Sequence, residues 1–310
     1  SICDMWRSPT TERCSRNIAQ PAIWYNIDMI TTETPKYPAG YFHKNKKGVL
    51  IMAGFDIKEK IEHNVKKAVA DFQERDDITT KFGEPVLAYV YAKDPLFDMF
   101  WEKELCKHPK AIFQPGNTVI LHYVPFADEV AAGNEGGDAP SAQWERAFVE
   151  SLWLSMELNR VIRGTLDMIG RLSSALTTPT DWVDDLHHEE FSFKMAAYAA
   201  GMGEFGTGGS FLINGKYGGR LGAVSTDGNY ADPSEPMTQQ QLDEVYDMLH
   251  AKCRYEGAPG VSCSQEMIDA CPGHAISANG IDRAKCQEHC RTIDEYIPSP
   301  EVCGKCFRFR

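Results

Sequence analysis

The chain has 310 residues, 43% of them hydrophobic and 25% charged, enough to bury a sizeable core in one large domain or two modest ones. Its formal net charge of −12, with a pI near 5.2, speaks against a broad nucleic-acid-binding face and leaves room only for a local basic pocket. No apolar run approaches a membrane span, and the opening "SICDMWRSPTTERC" has no apolar signal core; a cytoplasmic location is expected, although an export signal already removed would leave no trace.

Residues 1–45 are rich in Pro and Thr and read as an irregular arm. "GVLIMAG" (Gly48–Gly54) predicts a short buried strand. Next, Ile57, Ile61, Val65, Ala68, Val69 and Phe72 recur at helical spacing with charges on the outer face. Glu84–Ala92 and Asn117–Phe126 carry β-branched and aromatic residues and predict strands. Ala131–Ser141 reads as a loop, from which Asp138 or Ser141 would cap a long helix over Ala142–Leu172. Thr177–Phe191 is a second loop. Ser192–Gly203 predicts a short helix with a glycine cap, and Gln239–Lys252 another helix. Strands alternating with helices define an α/β layered domain over residues 46–250, followed by a tail, 251–310, that reads as too short and loop-like for an apolar core of its own.

That tail holds seven of the ten cysteines. A late cluster of this kind on a large chain points to metal rather than to a spread disulfide framework. "CPGHAI" at Cys271 ends as a ferredoxin-type half-motif does, and Cys303 and Cys306 form a Cys-x-x-Cys. A two-cluster ferredoxin half-motif reads C-x2-C-x2-C-x3-C-P, its fourth Cys serving the other cluster; here the positions four, seven and ten residues before Cys271 hold Met267, Ser264 and Val261, and the last position of the second half-motif, C-x2-C-x3-C, holds Arg310. These four absent ligands would belong to one and the same cluster. The four that remain, Cys271, one of Cys286 or Cys290, Cys303 and Cys306, would hold the other. The expectation is one 4Fe–4S cluster, with a four-cysteine zinc knuckle as the plain alternative. Cys253 and Cys263 are read as spare thiols.

Between helix and tail lies "AAYAAGMGEFGTGGSFLINGKYGGRLGAVSTD". Ala200–Gly203, Glu204, Gly206, Phe211–Ile213, Tyr217–Gly218, Arg220 and Thr226–Asp227, followed by the ferredoxin-like tail, resemble the corrinoid iron–sulfur reductases: the reductive dehalogenases and, more distantly, the epoxyqueuosine reductases. The resemblance is specific over Ser192–Asp227 and weak before Asn117. It implies a nitroreductase-like α/β domain that binds cobalamin, with a small C-terminal ferredoxin-like iron–sulfur tail. It implies that Gly201, Gly203, Gly206, Tyr217, Gly218, Arg220, Thr226 and Asp227 line the corrinoid site, the glycines letting backbone approach a broad macrocycle. Turns and a helix cap are the plain alternative for each glycine alone. A phosphate loop is not indicated, because GxxxxGK(S/T) is absent. The family's spacing selects Cys286 over Cys290 as the fourth cluster ligand.

The chain departs from the family in Thr207, where a basic residue is usual, in "TDGNYADP", and in the missing cluster. The resemblance implies a reductase acting on a small-molecule substrate, removing halide or a related leaving group. An external ferredoxin- or flavodoxin-like donor would supply electrons, and no nucleic acid would be a partner. The alternative is a non-catalytic corrinoid or electron carrier. The proton donor of the reductase would come from the loop before the glycines or the helix after it: His188 paired with Asp185, or Tyr198, with Asp184 and His187 beside them. A solvated acidic loop is the plain alternative. His122 and Tyr123 end a predicted strand, where His122 reads as a packed core histidine.

Overall fold

The computed structural model describes residues 42–44, 50–52, 56–176, 191–206, 210–252, 263–294 and 300–309. The chain divides into two compact units, Ser1–Gly54 and Phe55–Arg310. In the first, β1 (Phe42–Lys44) pairs antiparallel with β2 (Leu50–Met52), Phe42 opposite Met52. The second strand falls within the segment expected to be a strand.

The second unit is built on a four-stranded antiparallel sheet. Its strands are β3 (Val86–Tyr91), β4 (Thr118–Pro125), β5 (Ser173–Leu176) and β8 (Gly219–Thr226), in the order β3-β4-β8-β5. Side chains alternate across it, as the two-residue period of a strand requires. Val119, Leu121 and Tyr123 of β4 face one core, while Ile120 and Val124 face the other. On the first side lie α2 (Pro95–Glu102), α6 (Phe193–Ala199) and α7 (Gln239–Lys252), through residues such as Phe97, Phe100, Ala196, Ala197 and Leu249. On the second lie α1 (Ile57–Gln73) and α5 (Ala142–Asp167). Ile61, Val65, Val69 and Phe72 bury the stripe expected of α1, and Leu154, Leu158, Ile162 and Leu166 repeat every fourth residue along α5. The domain is therefore mixed α/β, as expected, with an antiparallel sheet between two helical layers.

Local chemistry sets the helix ends. The Asp56 side chain accepts from Lys58 N at 2.8 Å, and Ser141 Oγ accepts from Trp144 N at 3.2 Å, so Ser141 rather than Asp138 caps α5. That helix stops at Asp167, short of the expected Leu172. Gly170 adopts φ 70°, and Arg171 N turns back to Leu166 O at 3.1 Å, a left-handed ending that frees the chain to enter β5. Gly201, at φ 64°, ends α6 in the same manner, as expected.

The tail contains α8 (Gln265–Asp269), the hairpin β9 (Ile276–Ser277) and β10 (Gly280–Ile281), α9 (Arg283–Ile293) and α10 (Pro300–Cys303). Contrary to the expectation of no core, it has a small one. Cys263, Met267, Ile276 and Ile281 are buried together, and Cys290, Val302 and Cys303 pack on Phe148 of α5. Short β6 (Glu204–Phe205) and β7 (Phe211–Leu212) form a hairpin between α6 and β8, and Ser210 Oγ donates to Phe309 O at 3.3 Å.

Candidate functional site

Cys271, Cys286, Cys290, Cys303 and Cys306 line one pocket of the tail, closed on its apolar side by Ile276 and Ile281. Each is brought there by a different local device. Cys271 follows α8, and its Sγ accepts from Ala275 N at 3.3 Å. Cys286 sits in the first turn of α9, begun by the Asp282 cap, with Cys290 one turn later. Cys303 ends α10. Gly304, at φ 63°, reverses the chain, and the Lys305 N–H hydrogen-bonds the Cys303 thiol before Cys306.

The thiols are electrostatically crowded. Burial, reinforced by the neighbouring sulfurs, pushes Cys303 up to about 11 and Cys306 up to about 12. The Cys290 hydrogen bond to Cys286 pulls Cys286 down to about 7 and holds Cys290 protonated. Geometry separates the two: Cys286 is only partly buried where it lines the pocket, while the fully buried Cys290 packs with Phe148 and Val302.

Among the described residues, no three His, Cys, Asp or Glu side chains converge as the ligands of a single metal ion do. The five thiols instead ring a pocket. A cubane takes one thiolate per iron, so a spread ring of soft donors fits that group. Two of the positions that would have served a second cluster have other work: Met267 is fully buried in the tail core, and Ser264 caps α8, its Oγ accepting from Met267 N at 3.2 Å. Cys263 is buried beside Met267; Val261, Arg310 and Cys253 lie outside the described residues.

A second pocket lies where β4 ends and β8 begins. Tyr123, Trp144, Phe148, Phe211 and Phe307 form its aromatic walls, and Gly218, Gly219, Arg220 and Lys194 complete it. Phe307 also lines the cysteine pocket. The Lys194 ammonium stands 5.4 Å from the Phe307 ring centroid. Arg220 lies 5.0 Å from the Phe148 ring centroid, with its Nε donating to Ser151 Oγ at 3.2 Å and its Nη2 to Phe148 O at 3.3 Å.

Of the residues expected to line a corrinoid site, Gly218 and Arg220 border this pocket. Tyr217 instead donates to Glu135 Oε1 at 2.9 Å and is pushed up to about 12, chiefly by burial. Gly201 caps α6, while Gly203 and Gly206 lie in the β6–β7 region. Thr226 and Asp227 lie at the far end of β8, six and seven residues from Arg220, roughly 20 Å along the strand. There Thr226 Oγ1 donates to Leu172 O at 3.0 Å and Asp227 Oδ1 accepts from Leu172 N at 3.1 Å.

The glycines have local reasons. A Cβ at Gly203 would stand 2.2 Å from Leu212 O, and one at Gly206 would stand 2.8 Å from Phe309 O. At Gly218 it would meet Trp144 at 3.0 Å, and at Gly219 the Tyr123 ring at 2.6 Å. At these four positions the glycine admits a close approach of the chain's own atoms.

Tyr198, an expected proton donor, packs against Phe205 with ring centroids 6.0 Å apart, and burial raises its pKa. His188, Asp185, Asp184 and His187 lie outside the described residues. His122 is the buried core histidine expected, with Nε2 3.0 Å from Asn159 Oδ1. Sequence reasoning passed over Lys194, Phe307, Trp144 and Lys305. Only Lys305 carried a signal, its place inside Cys303–Cys306.

No family model matches the chain, and no curated protein does. Among solved structures it is similar to a selenomethionine-labelled epoxyqueuosine reductase, at 13% identity and a TM-score of 0.41 over 76% of this chain and 58% of that one. Epoxyqueuosine reductase from Streptococcus thermophilus is similar at 15% identity and a TM-score of 0.41, over 77% of this chain and 58% of that one. A further structure, epoxyqueuosine reductase with an epoxyqueuosine-modified tRNA-Tyr stem loop, is similar at 14% identity and a TM-score of 0.39, over 78% and 60%. This chain thus spans about three fifths of the length of the structures it matches. Among the described residues, no helix is long and apolar enough to cross a membrane.

Proposed function

We propose that the chain is a redox protein of the corrinoid iron–sulfur reductase type, holding one 4Fe–4S cluster on Cys271, Cys286, Cys303 and Cys306. The observation that supports this most is the gathering of all four cysteines around one pocket, although they come from three separate stretches of chain. A cubane there would supply one-electron transfer. The chain's own part is to hold the thiolates, to shield them with Ile276 and Ile281, and to place Phe307 between this pocket and the aromatic one. The tail would then be a ferredoxin-like module on a nitroreductase-like domain. An external ferredoxin- or flavodoxin-like protein would be the donor.

In the enzyme reading, the aromatic pocket is the site of electron delivery, with Lys194 and Arg220 at its wall and a corrinoid or small-molecule substrate as occupant. The corresponding reaction is reductive loss of halide or a related leaving group. Asp185 with His188, or Tyr198, would donate the proton. A specific observation favours the second reading, an electron carrier without a corrinoid. Trp144 already fills the space beside Gly218 that a macrocycle was expected to need.

One preparation tests both. Protein purified anaerobically and reconstituted with iron, sulfide and cobalamin should show a broad iron–sulfur shoulder and about four irons per chain, as one cubane requires. Corrinoid bands that survive desalting, and disappear in Gly218→Val, support the enzyme reading. A shoulder without corrinoid bands leaves the carrier. Zinc in place of iron, or about eight irons, overturns the cluster assignment.

A further inference from the structure

Lys305 occupies the middle of the Cys303–Cys306 turn, yet its side chain is only 6% exposed. Its Nζ donates to Asn134 O at 2.9 Å and Gly136 O at 2.6 Å, both carbonyls of the loop after α4 (Asp128–Gly133). The same loop grips the turn from the other side, Asn134 Nδ2 donating to Cys303 O at 3.0 Å. Burying an ammonium is costly unless it is solvated by fixed dipoles, and these carbonyls are such dipoles. They are neutral, so they satisfy the donors without cancelling the charge. None of the described residues lining the cysteine pocket is Asp or Glu, and Arg283 adds a second cation to its wall. The other charges acting on Lys305 are Asp138 and Arg308, the latter 3.4 Å from Glu135.

Resting on the cluster reading above, we propose that Lys305 is the charge-setting residue of the centre, its buried ammonium stabilising the reduced cluster and so raising the reduction potential. The physical basis is simple. A cubane on four thiolates is anionic, and taking up one electron makes it more so. A fixed cation held out of water and interacting with the Cys303 ligand favours the more negative state, because screening there is weak. The Asn134–Gly136 carbonyls keep the ammonium from swinging into solvent, where its effect would be screened.

The test compares Lys305→Gln with Lys305→Arg. Gln keeps a donor for the loop carbonyls and removes the charge; Arg keeps both. Iron, sulfide and absorbance report cluster content, and an anaerobic titration with dithionite and mediators reports the potential. At a fixed solution potential the reduced-to-oxidised ratio of Lys305→Gln should fall about tenfold or more, a downward shift of at least about 59 mV for a one-electron couple, while Lys305→Arg stays near the parent. Cluster loss in Lys305→Gln with retention in Lys305→Arg also supports a requirement for the charge. An unchanged potential in a cluster-loaded Lys305→Gln, or cluster loss in both variants, overturns the proposal and leaves Lys305 a structural anchor. A parent protein that takes up no iron refutes the cluster reading itself, a result distinct from either.

Discussion

Gly304, inside the Cys303–Cys306 turn, lies so close to Trp144 that a Cβ would stand 2.2 Å from the indole Cζ2. The contact joins the cysteine tail to the first turns of α5, whose buried Trp144 also packs edge-on to Phe126, with centroids 5.4 Å apart. Gly304 is constrained twice, by this contact and by its φ of 63°. Gly304→Ala should therefore displace the turn from α5 and lower stability by about 2–4 kcal/mol, the sum expected of left-handed strain and overpacking. Iron content after reconstitution and the urea midpoint check this; a variant with parental values of both would show that the turn tolerates a side chain.

Cys286 and Cys290 face the same side of α9 but should differ in effect. Cys286→Ser removes the partly exposed thiol at the pocket wall and should abolish the iron–sulfur absorbance. Cys290→Ser should retain it, with a modest loss of stability of about 1 kcal/mol from placing a hydroxyl in a fully buried site. The reverse pattern would make Cys290 the fourth ligand.

His122 gives the domain a pH dependence whose sign is set by burial. Burial lowers its pKa to about 4 from the usual 6.5 of the unfolded chain. Between these values the unfolded state binds more protons, so stability is fully present above about pH 6.5 and falls as the pH drops through 4. The full loss would be about 3 kcal/mol. His108, also lowered by burial, acts in the same sense. Urea midpoints measured from pH 7 to pH 4 should fall more steeply for the parent than for His122→Asn. Parallel curves would mean that His122 is not the responsible group.

Glu150, fully buried on α5, ties down the chain before β3. Its carboxylate accepts from Thr80 N at 2.7 Å and from Thr79 N at 3.1 and 3.2 Å, with Arg146 Nε 3.6 Å away. Glu150→Leu leaves two backbone donors without this acceptor and should cost about 3 kcal/mol or more. Glu150→Gln, which keeps one acceptor oxygen, should cost less. Equal urea midpoints for the two variants would contradict the role assigned to these bonds.

Patterns carried by neighbouring residues were legible in the sequence. The stripes of α1 and α5, the dense β-branched run of β4, the Ser141 cap and the cysteine spacings each depend on a few residues close in the chain. Strand β8 was not legible. Its Gly219, Arg220 and Gly222 resemble a loop, and the strand is made by pairing with β4 on one side and β5 on the other. Gly222 illustrates the reason: a Cβ there would meet the His122 ring at 2.4 Å, a neighbour 100 positions earlier that pairs with it across the sheet. The same holds for Lys305, an ordinary lysine until Asn134 and Gly136 fold over it. Sequence alone determined which elements form locally and which thiols are available. The tertiary structure decided what those glycines accommodate and where the buried charge lies, because close approach and desolvation arise only when distant segments meet.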